Sequence, residues 1–332
     1  MTASEMHSRA ILVSLRISAW SARKYDRKVT NETNQAHGAD ADAGRYNKNL
    51  LPGDAPSYKA LTQHITAMRA QHTAQTLAWS DDGWRLLPVR NFQKYMDMVR
   101  QGQHTFDRLL EEFWRDYPTL RAQAKDRLNG MYLDADYPRD IRDRFSFAME
   151  PAPVPAATDY RVALTQDEIN TIATRTEERV KQAFADAQKD AVQRLYKCVS
   201  HIHERLTAVR VTKDRATKAR TLKKDHYDKV TGELIPAGTV IPGRAIAGGQ
   251  VKNATFRDTL VDNARELCEI LRYINLADDP KLEEFRRQTE LIAGSTEAET
   301  LRDSDAVRKD TANRAQSILD AMAATYGAAV QA

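Results

Sequence analysis

The chain has 332 residues, 42% of them hydrophobic and 29% charged, and a formal net charge of +4 at pH 7. That composition supports one large domain or two modest ones, while an aromatic share of 7% keeps any core modest. So small a net charge excludes a global attraction to nucleic acid, although the positive excess is concentrated in one segment. Two cysteines far apart in sequence point to a reducing compartment, not a disulfide scaffold. With no secretory-type leader and no apolar run long enough to cross a bilayer, a cytoplasmic setting is expected.

Residues 11–20 alternate Val13, Leu15, Ile17 and Ala19 with Ser14, Arg16 and Ser18, which predicts a strand. A polar helix is expected over 21–35 and a loop over 37–56. The next helix is expected at 57–75, with Leu61, Ile65 and Met68 facing inward. Residues 79–84 read as a turn, and 85–89 as a short strand. Three helical patterns follow: 91–101, 103–116 with Phe106, Leu109, Leu110, Phe113 and Trp114, and one restarted by Pro118 that runs to Leu128 and stops at Asn129-Gly130. Residues 144–150 and 159–164 alternate again and could pair with 11–19 in a small antiparallel sheet.

Thr165 followed by Glu168 forms a capping box. Beyond it Ile169, Ile172, Thr176, Val180, Ala183, Ala187, Ala191, Leu195, Cys198, Ile202, Leu206 and Val209 make one helical stripe uninterrupted by Pro or Gly. A helix of that length spans roughly 60–65 Å. Its expected partner is the return segment, with Phe256, Leu260, Val261, Ala264, Leu267, Cys268, Leu271 and Ile274 inward, so an antiparallel helical hairpin is predicted as a projecting arm. Between the two helices lies a tip, 210–252. Its first part carries Arg210, Lys213, Arg215, Lys218, Arg220, Lys223, Lys224 and Lys229 against Asp214, Asp225 and Asp228. Short strands are expected around Thr231-Gly232 and Ala237-Gly238, giving a β-ribbon at the tip. Arg205, Arg210, Arg215 and Arg220 recur every five residues, a spacing that winds around a helix instead of lining one face. No internal repeat at a fixed period stands out along the chain.

After Asp278-Asp279-Pro280 a helix is expected from Lys281 to Ala293 and a final one from Glu297 to Tyr326, with Leu301, Val307, Ala315, Ile318, Leu319 and Met322 inward. The fold class is therefore α+β and predominantly α-helical: a head over 1–164, a helical hairpin over 165–276 and C-terminal helices over 277–332.

The stretches LVSLRISAWSARKYDRKV (12–29), GRYNKNLLP (44–52), TLAWSDDGWRLLP (76–88) and PVPAATDYRV (153–162) resemble a family of uncharacterised phage and bacterial proteins. Members of that family are often encoded near MoxR-type AAA+ ATPases and cobalt-chelatase-like proteins with a von Willebrand A domain. The resemblance covers mainly the first half of the chain. It implies a phage or prophage origin and a role beside an ATPase machine, and it carries over no catalytic residue.

The chemical signals are sparse. Cys198, His201 and His203 have the look of zinc ligands, but on a helix His203 points away from the other two and a fourth ligand is wanting. Asp134, Asp136, Asp140 and Asp143 form an acidic group without the Gly of a calcium loop, and helix capping accounts for Asp136 more simply. Asp81-Asp82-Gly83 reads as a turn. There is no Walker phosphate loop, dinucleotide fingerprint, HExxH or GxSxG. No catalytic residue, metal or cofactor is assigned, and the chain is not expected to be an enzyme.

The basic tip is the strongest functional feature. Its cations suit a solvated arm, an acidic partner protein, or the phosphates of nucleic acid with salt-sensitive affinity. Tyr227 and His226 are its only ring side chains, which is poor for stacking on single strands. The expected function is a phage structural or adaptor protein that self-associates or docks onto a partner such as an AAA+ ATPase or a von Willebrand A domain protein. The alternative is nucleic-acid binding in phage replication or genome handling, through Arg210, Lys213, Arg215, Lys218, Arg220, Lys223, Lys224 and Lys229.

Overall fold

The computed structural model describes residues 8–79, 83–156, 165–207, 259–294 and 298–330, together with 210–211, 215–216, 220–221, 226–227, 234–236, 239–241, 245–246 and 250–251. The fold is α+β and predominantly helical, with a small antiparallel sheet near the N-terminus. The chain divides into two compact units, one of 1–191 with 270–279 and one of 192–269 with 280–332.

In the first unit, β1 (Ala10–Ser18) is flanked on both sides in a four-stranded sheet, where it pairs antiparallel with β5 (Arg85–Pro88) and β6 (Ser146–Ala152). Leu12 lies opposite Leu86 on one side and Ala152 on the other, and Ile17 lies opposite Phe147. β4 (Leu77–Ala78) completes the sheet beyond β5. The predicted pairing of 11–19 with 144–150 is thus present; its proposed third strand, 159–164, lies outside the described residues.

Two expectations between β1 and the next helix need correction. Residues 23–25 are a strand, β2 (Arg23–Tyr25), not the start of a helix, and β3 (Asn47–Asn49) pairs with it inside the predicted loop. The helix starts later, as α1 (Arg27–Ala36), because the Asp26 carboxylate accepts the Val29 N–H at 3.2 Å and so fixes the N-cap there.

Helix α2 (Pro56–Gln75) opens with Pro at its first position, where the missing N–H has no partner to lose. Its Leu61, Ile65, Met68 and His72 recur at helical spacing and are all buried. The three predicted helices after it are one, α3 (Phe92–Leu128), which passes through both Gly102 and Pro118. A mid-helix Gly costs about 1 kcal/mol and a Pro about 3 kcal/mol. Burial on either side of them, by Tyr95, Val99, Phe106, Phe113, Tyr117, Leu120, Ala124 and Leu128, outweighs that local loss. Gly102 has its own reason: a Cβ there would run into the end of the Met68 side chain. Asn129 ends α3 with a positive φ of 44°.

Helix α4 (Gln166–Thr207) starts with the predicted capping box: the Thr165 N–H donates to the Glu168 carboxylate at 2.9 Å and the Glu168 N–H to the Thr165 hydroxyl at 3.4 Å. The division between the units falls within α4 and again within α5 (Thr259–Ile274).

In the second unit the α4 stripe is buried at Val192, Leu195, Val199, Ile202 and Leu206, and α5 buries Leu260, Val261, Ala264 and Cys268. Helix α6 (Pro280–Gly294) buries Leu282, Phe285, Thr289 and Ile292, along with Arg286 held between Glu283 and Glu290 at 2.8 Å each. The predicted final helix is interrupted: α7 (Ala298–Asp303) stops at Ser304, whose hydroxyl accepts the Val307 N–H and caps α8 (Asp305–Tyr326).

Residues 210–251 hold a series of two-residue strands: β7 (Arg210–Val211), β8 (Arg215–Ala216), β9 (Arg220–Thr221), β10 (His226–Tyr227), β11 (Leu234–Ile235), β12 (Val240–Ile241), β13 (Ala245–Ile246) and β14 (Gln250–Val251). The ribbon therefore begins immediately after α4. Of these strands, β11 and β12 fall within 229–242, where short strands are expected from the sequence, the others lie outside that stretch, and Thr231-Gly232 and Ala237-Gly238 lie outside the described residues.

Candidate functional site

Of the predicted contact residues, Arg210, Arg215 and Arg220 stand at the head of β7, β8 and β9; Lys213, Lys218, Lys223, Lys224 and Lys229 lie outside the described residues. The pairing is antiparallel throughout. Arg210 is the register partner of Val251, Arg215 of Ile246, Arg220 of Ile241 and Tyr227 of Leu234. From Arg210 to Arg220 each advance of five residues on the outbound side is matched by five on the return side, so the register never slips.

That pairing exposes a repeat missed in the sequence. Arg210-x-x-Lys213, Arg215-x-x-Lys218 and Arg220-x-x-Lys223 recur at five residues, and so do Gly238-x-x-Ile241, Gly243-x-x-Ile246 and Gly248-x-x-Val251. The arginine spacing alone was visible. Measured against 3.6 residues per turn it winds around a helix; set beside the return segment it is one period shared by two strands.

A second feature lies at the start of α4. From Gln166 to Arg179 no residue is buried, although Ile169, Ile172 and Ala173 continue the apolar stripe and are half-buried; full burial begins at Val180. Trp79, Arg175, Glu178, Arg179, Gln182 and Asp186 line a groove of about 570 Å³ along the turns where burial begins. The Arg179 guanidinium lies 5.9 Å from the centre of the Trp79 ring, within cation–π range.

The titratable clusters resolve into structural pairs. Lys48 is 2% exposed, with its ammonium 2.8 Å from Asp136, 3.3 Å from Asp26 and donating to the Met131 carbonyl at 2.6 Å. Burial alone would lower the Lys48 pKa, but the two carboxylates outweigh it and the net direction is up. Asp26 is held below the usual carboxylate range by the Val29 N–H and then by Lys48. Asp134 pairs with Arg121 and Asp140 with Arg142, so the acidic group divides among different cations instead of converging on one point. Sequence reasoning found the aspartates and missed Lys48, whose partners come from segments far apart in the chain.

His72 and Tyr95 form another buried pair, Nδ1 to hydroxyl at 2.8 Å. Burial, helped by the charge of Arg85, pushes the imidazole down to about 4, so the ring is neutral at pH 7. Arg85 in turn donates to the Thr76 hydroxyl at 2.6 Å, which donates to the His72 carbonyl at 2.5 Å. Arg9 and Arg90 clamp the end of α5: Arg9 reaches the Leu276 carbonyl and Asp278, while Arg90 reaches the Tyr273 and Asn275 carbonyls and Asp278. Of these carbonyls, that of Tyr273 is one of those the last turn of a helix leaves free, and the other two follow directly after it.

Cys198 and Cys268 are free thiols. Burial pushes Cys198 up to about 11, so the free thiol is protonated at pH 7. His201 is exposed and His203 half-buried. Among the described residues there is no group of three His, Cys, Asp or Glu placed to hold a metal ion, and no helix is long and apolar enough to cross a membrane.

No protein-family model matches the chain, and no curated protein and no solved structure is similar to it.

Proposed function

We propose that this chain is a non-enzymatic structural or adaptor protein that self-associates or docks onto a second protein through α4 and the ribbon that follows it. The observation that carries this reading is the first third of α4, where an apolar stripe at helical spacing runs from Ile169 to Ala173 without a buried residue, beside the Trp79 groove. An amphipathic face continued beyond the core it serves is a ready surface for another helix or groove. The resemblance of the first half of the chain to phage and bacterial proteins encoded near MoxR-type AAA+ ATPases supports such an ATPase, or a von Willebrand A domain protein, as the partner, in the cytoplasm of the host cell. Mass photometry of the full chain, alone and with a MoxR-type AAA+ ATPase, tests the reading. A dimer or a mixed complex is expected, with no nucleotide hydrolysis by the chain alone; a monomer indifferent to the ATPase contradicts it.

A second reading, nucleic-acid binding in phage replication or genome handling, is supported by how charge divides within the ribbon. The outbound segment 210–229 carries eight Lys and Arg against three Asp, whereas 230–252 carries Arg244 and Lys252 against Glu233. A mobility shift at several salt concentrations, with Lys213, Arg215, Lys218, Arg220, Lys223 and Lys224 changed to Glu, tests it; binding that is absent, or unaltered by the changes, rules it out.

A further inference from the structure

We infer that the two-stranded sheet β2–β3 of the first unit is a binding surface for single-stranded nucleic acid in its own right, independent of the ribbon in the second unit. Arg23 is the register partner of Asn49, Lys24 of Lys48 and Tyr25 of Asn47. Side chains alternate between the two faces of a strand. Lys48 is buried, its ammonium held by Asp26 and Asp136, so the face it occupies points inward. Arg23, Tyr25, Asn47 and Asn49 therefore share the opposite face, and all four are exposed. Arg45 follows the same alternation, two residues before Asn47, and its guanidinium sits 4.9 Å from the centre of the Tyr25 ring.

The chemistry of that face selects the ligand. Neither strand carries a carboxylate. Asp26, next in the chain after Tyr25, is turned onto Lys48 and the Val29 N–H. Arg27 and Lys28, both exposed, extend the positive charge into the first turn of α1, where Glu32 at 3.9 Å from Lys28 is the offsetting charge. The side-chain amides of Asn47 and Asn49 make no hydrogen bond among the described residues. Unpaired bases stack on tyrosine rings and guanidinium planes, and free amides pair with base edges. Arg23, Lys24 and Arg27 are left for the phosphates. A duplex keeps its bases stacked on one another, and an acidic peptide would use the cations but leave the ring and the amides idle. The ribbon has the reverse make-up, many cations with Tyr227 and His226 as its only rings. The surface is also held in place before a ligand arrives. The Asp26 N–H donates to the Tyr46 carbonyl at 3.0 Å and the Leu50 N–H to the Ala22 carbonyl at 2.8 Å, closing the pair at both ends.

Fluorescence anisotropy of the full-length protein tests this, with a labelled oligothymidylate of about 12 nucleotides, the same strand annealed to its complement, and polyglutamate as competitor, between about 50 and 200 mM salt. Tyr25→Ala is expected to weaken single-strand binding about tenfold and to leave duplex binding unchanged, whereas Tyr25→Phe keeps the wild-type affinity. Changing Arg23 and Arg27 to Gln is expected to lower the slope of log affinity against log salt by about 0.7 for each phosphate no longer neutralised. Changing Arg210, Arg215 and Arg220 to Gln should leave the effect of Tyr25→Ala intact. Single-strand binding unmoved by Tyr25→Ala overturns the site, and its loss with the ribbon arginines instead would leave the ribbon as the nucleic-acid surface. Equal affinity for the duplex, or displacement by polyglutamate as readily as by unlabelled oligothymidylate, overturns the recognition of bases. Absence of binding at the lowest salt overturns this site and the ribbon reading together.

Discussion

Lys48 and Asp26 each make the stability of the first unit depend on pH, in opposite directions. The folded pKa of Lys48 is raised, so its contribution is complete below the unfolded lysine value of about 10.4 and is lost as pH climbs above it. Asp26 is lowered, so its contribution is present above about 3.9 and fades as pH falls through the folded value. Lys48→Met strands Asp26 and Asp136 without their cation and should cost about 3–5 kcal/mol at neutral pH, read as a shift in the urea midpoint. The sign of the pH dependence should also reverse. Lowering the pH through the folded Asp26 value weakens the wild type but partly rescues the variant, because the uncompensated Asp26 carboxylate is relieved by protonation. His72 supplies a separate test. Its imidazole stays neutral in the fold down to about 4, whereas the unfolded chain takes up a proton near 6.5. Stability is therefore lost as pH falls from 6.5 towards 4, by about 3 kcal/mol at most, and His72→Asn should flatten that part of the urea-midpoint profile.

At the scale of single elements, local signals with a local partner were legible. The Thr165–Glu168 box, the Leu61–Ile65–Met68 face and the alternation of β1 all appear where the sequence placed them. What was not legible depended on distant segments. Gly102 and Pro118 read as helix breaks, yet the core on both sides holds α3 continuous. Gly102→Leu should drive Met68 from its site and cost about 1–3 kcal/mol in chemical denaturation. Ser304 shows the reverse case, a single hydroxyl that divides an apparently continuous helix; Ser304→Ala should lower stability by about 1 kcal/mol, measured the same way. In the candidate site, the cations could be read from the sequence but their order could not. Arg210, Arg215 and Arg220 acquire a shared period only when Val251, Ile246 and Ile241 are known to face them.

On the scale of the molecule, the chain builds two compact units, and both α4 and α5 contribute residues to each. The first unit holds the sheet, the Lys48 and His72 pairs and the unburied start of α4; the second holds the ribbon and the C-terminal helices. The apolar half-turns of α4 bear most directly on adaptor function. Sedimentation velocity of the full chain should find an associated species, alone or with the ATPase, that disappears in the Ile169→Glu, Ile172→Glu double variant while the far-UV circular dichroism is unchanged. Association that survives both charges intact would contradict docking through this face.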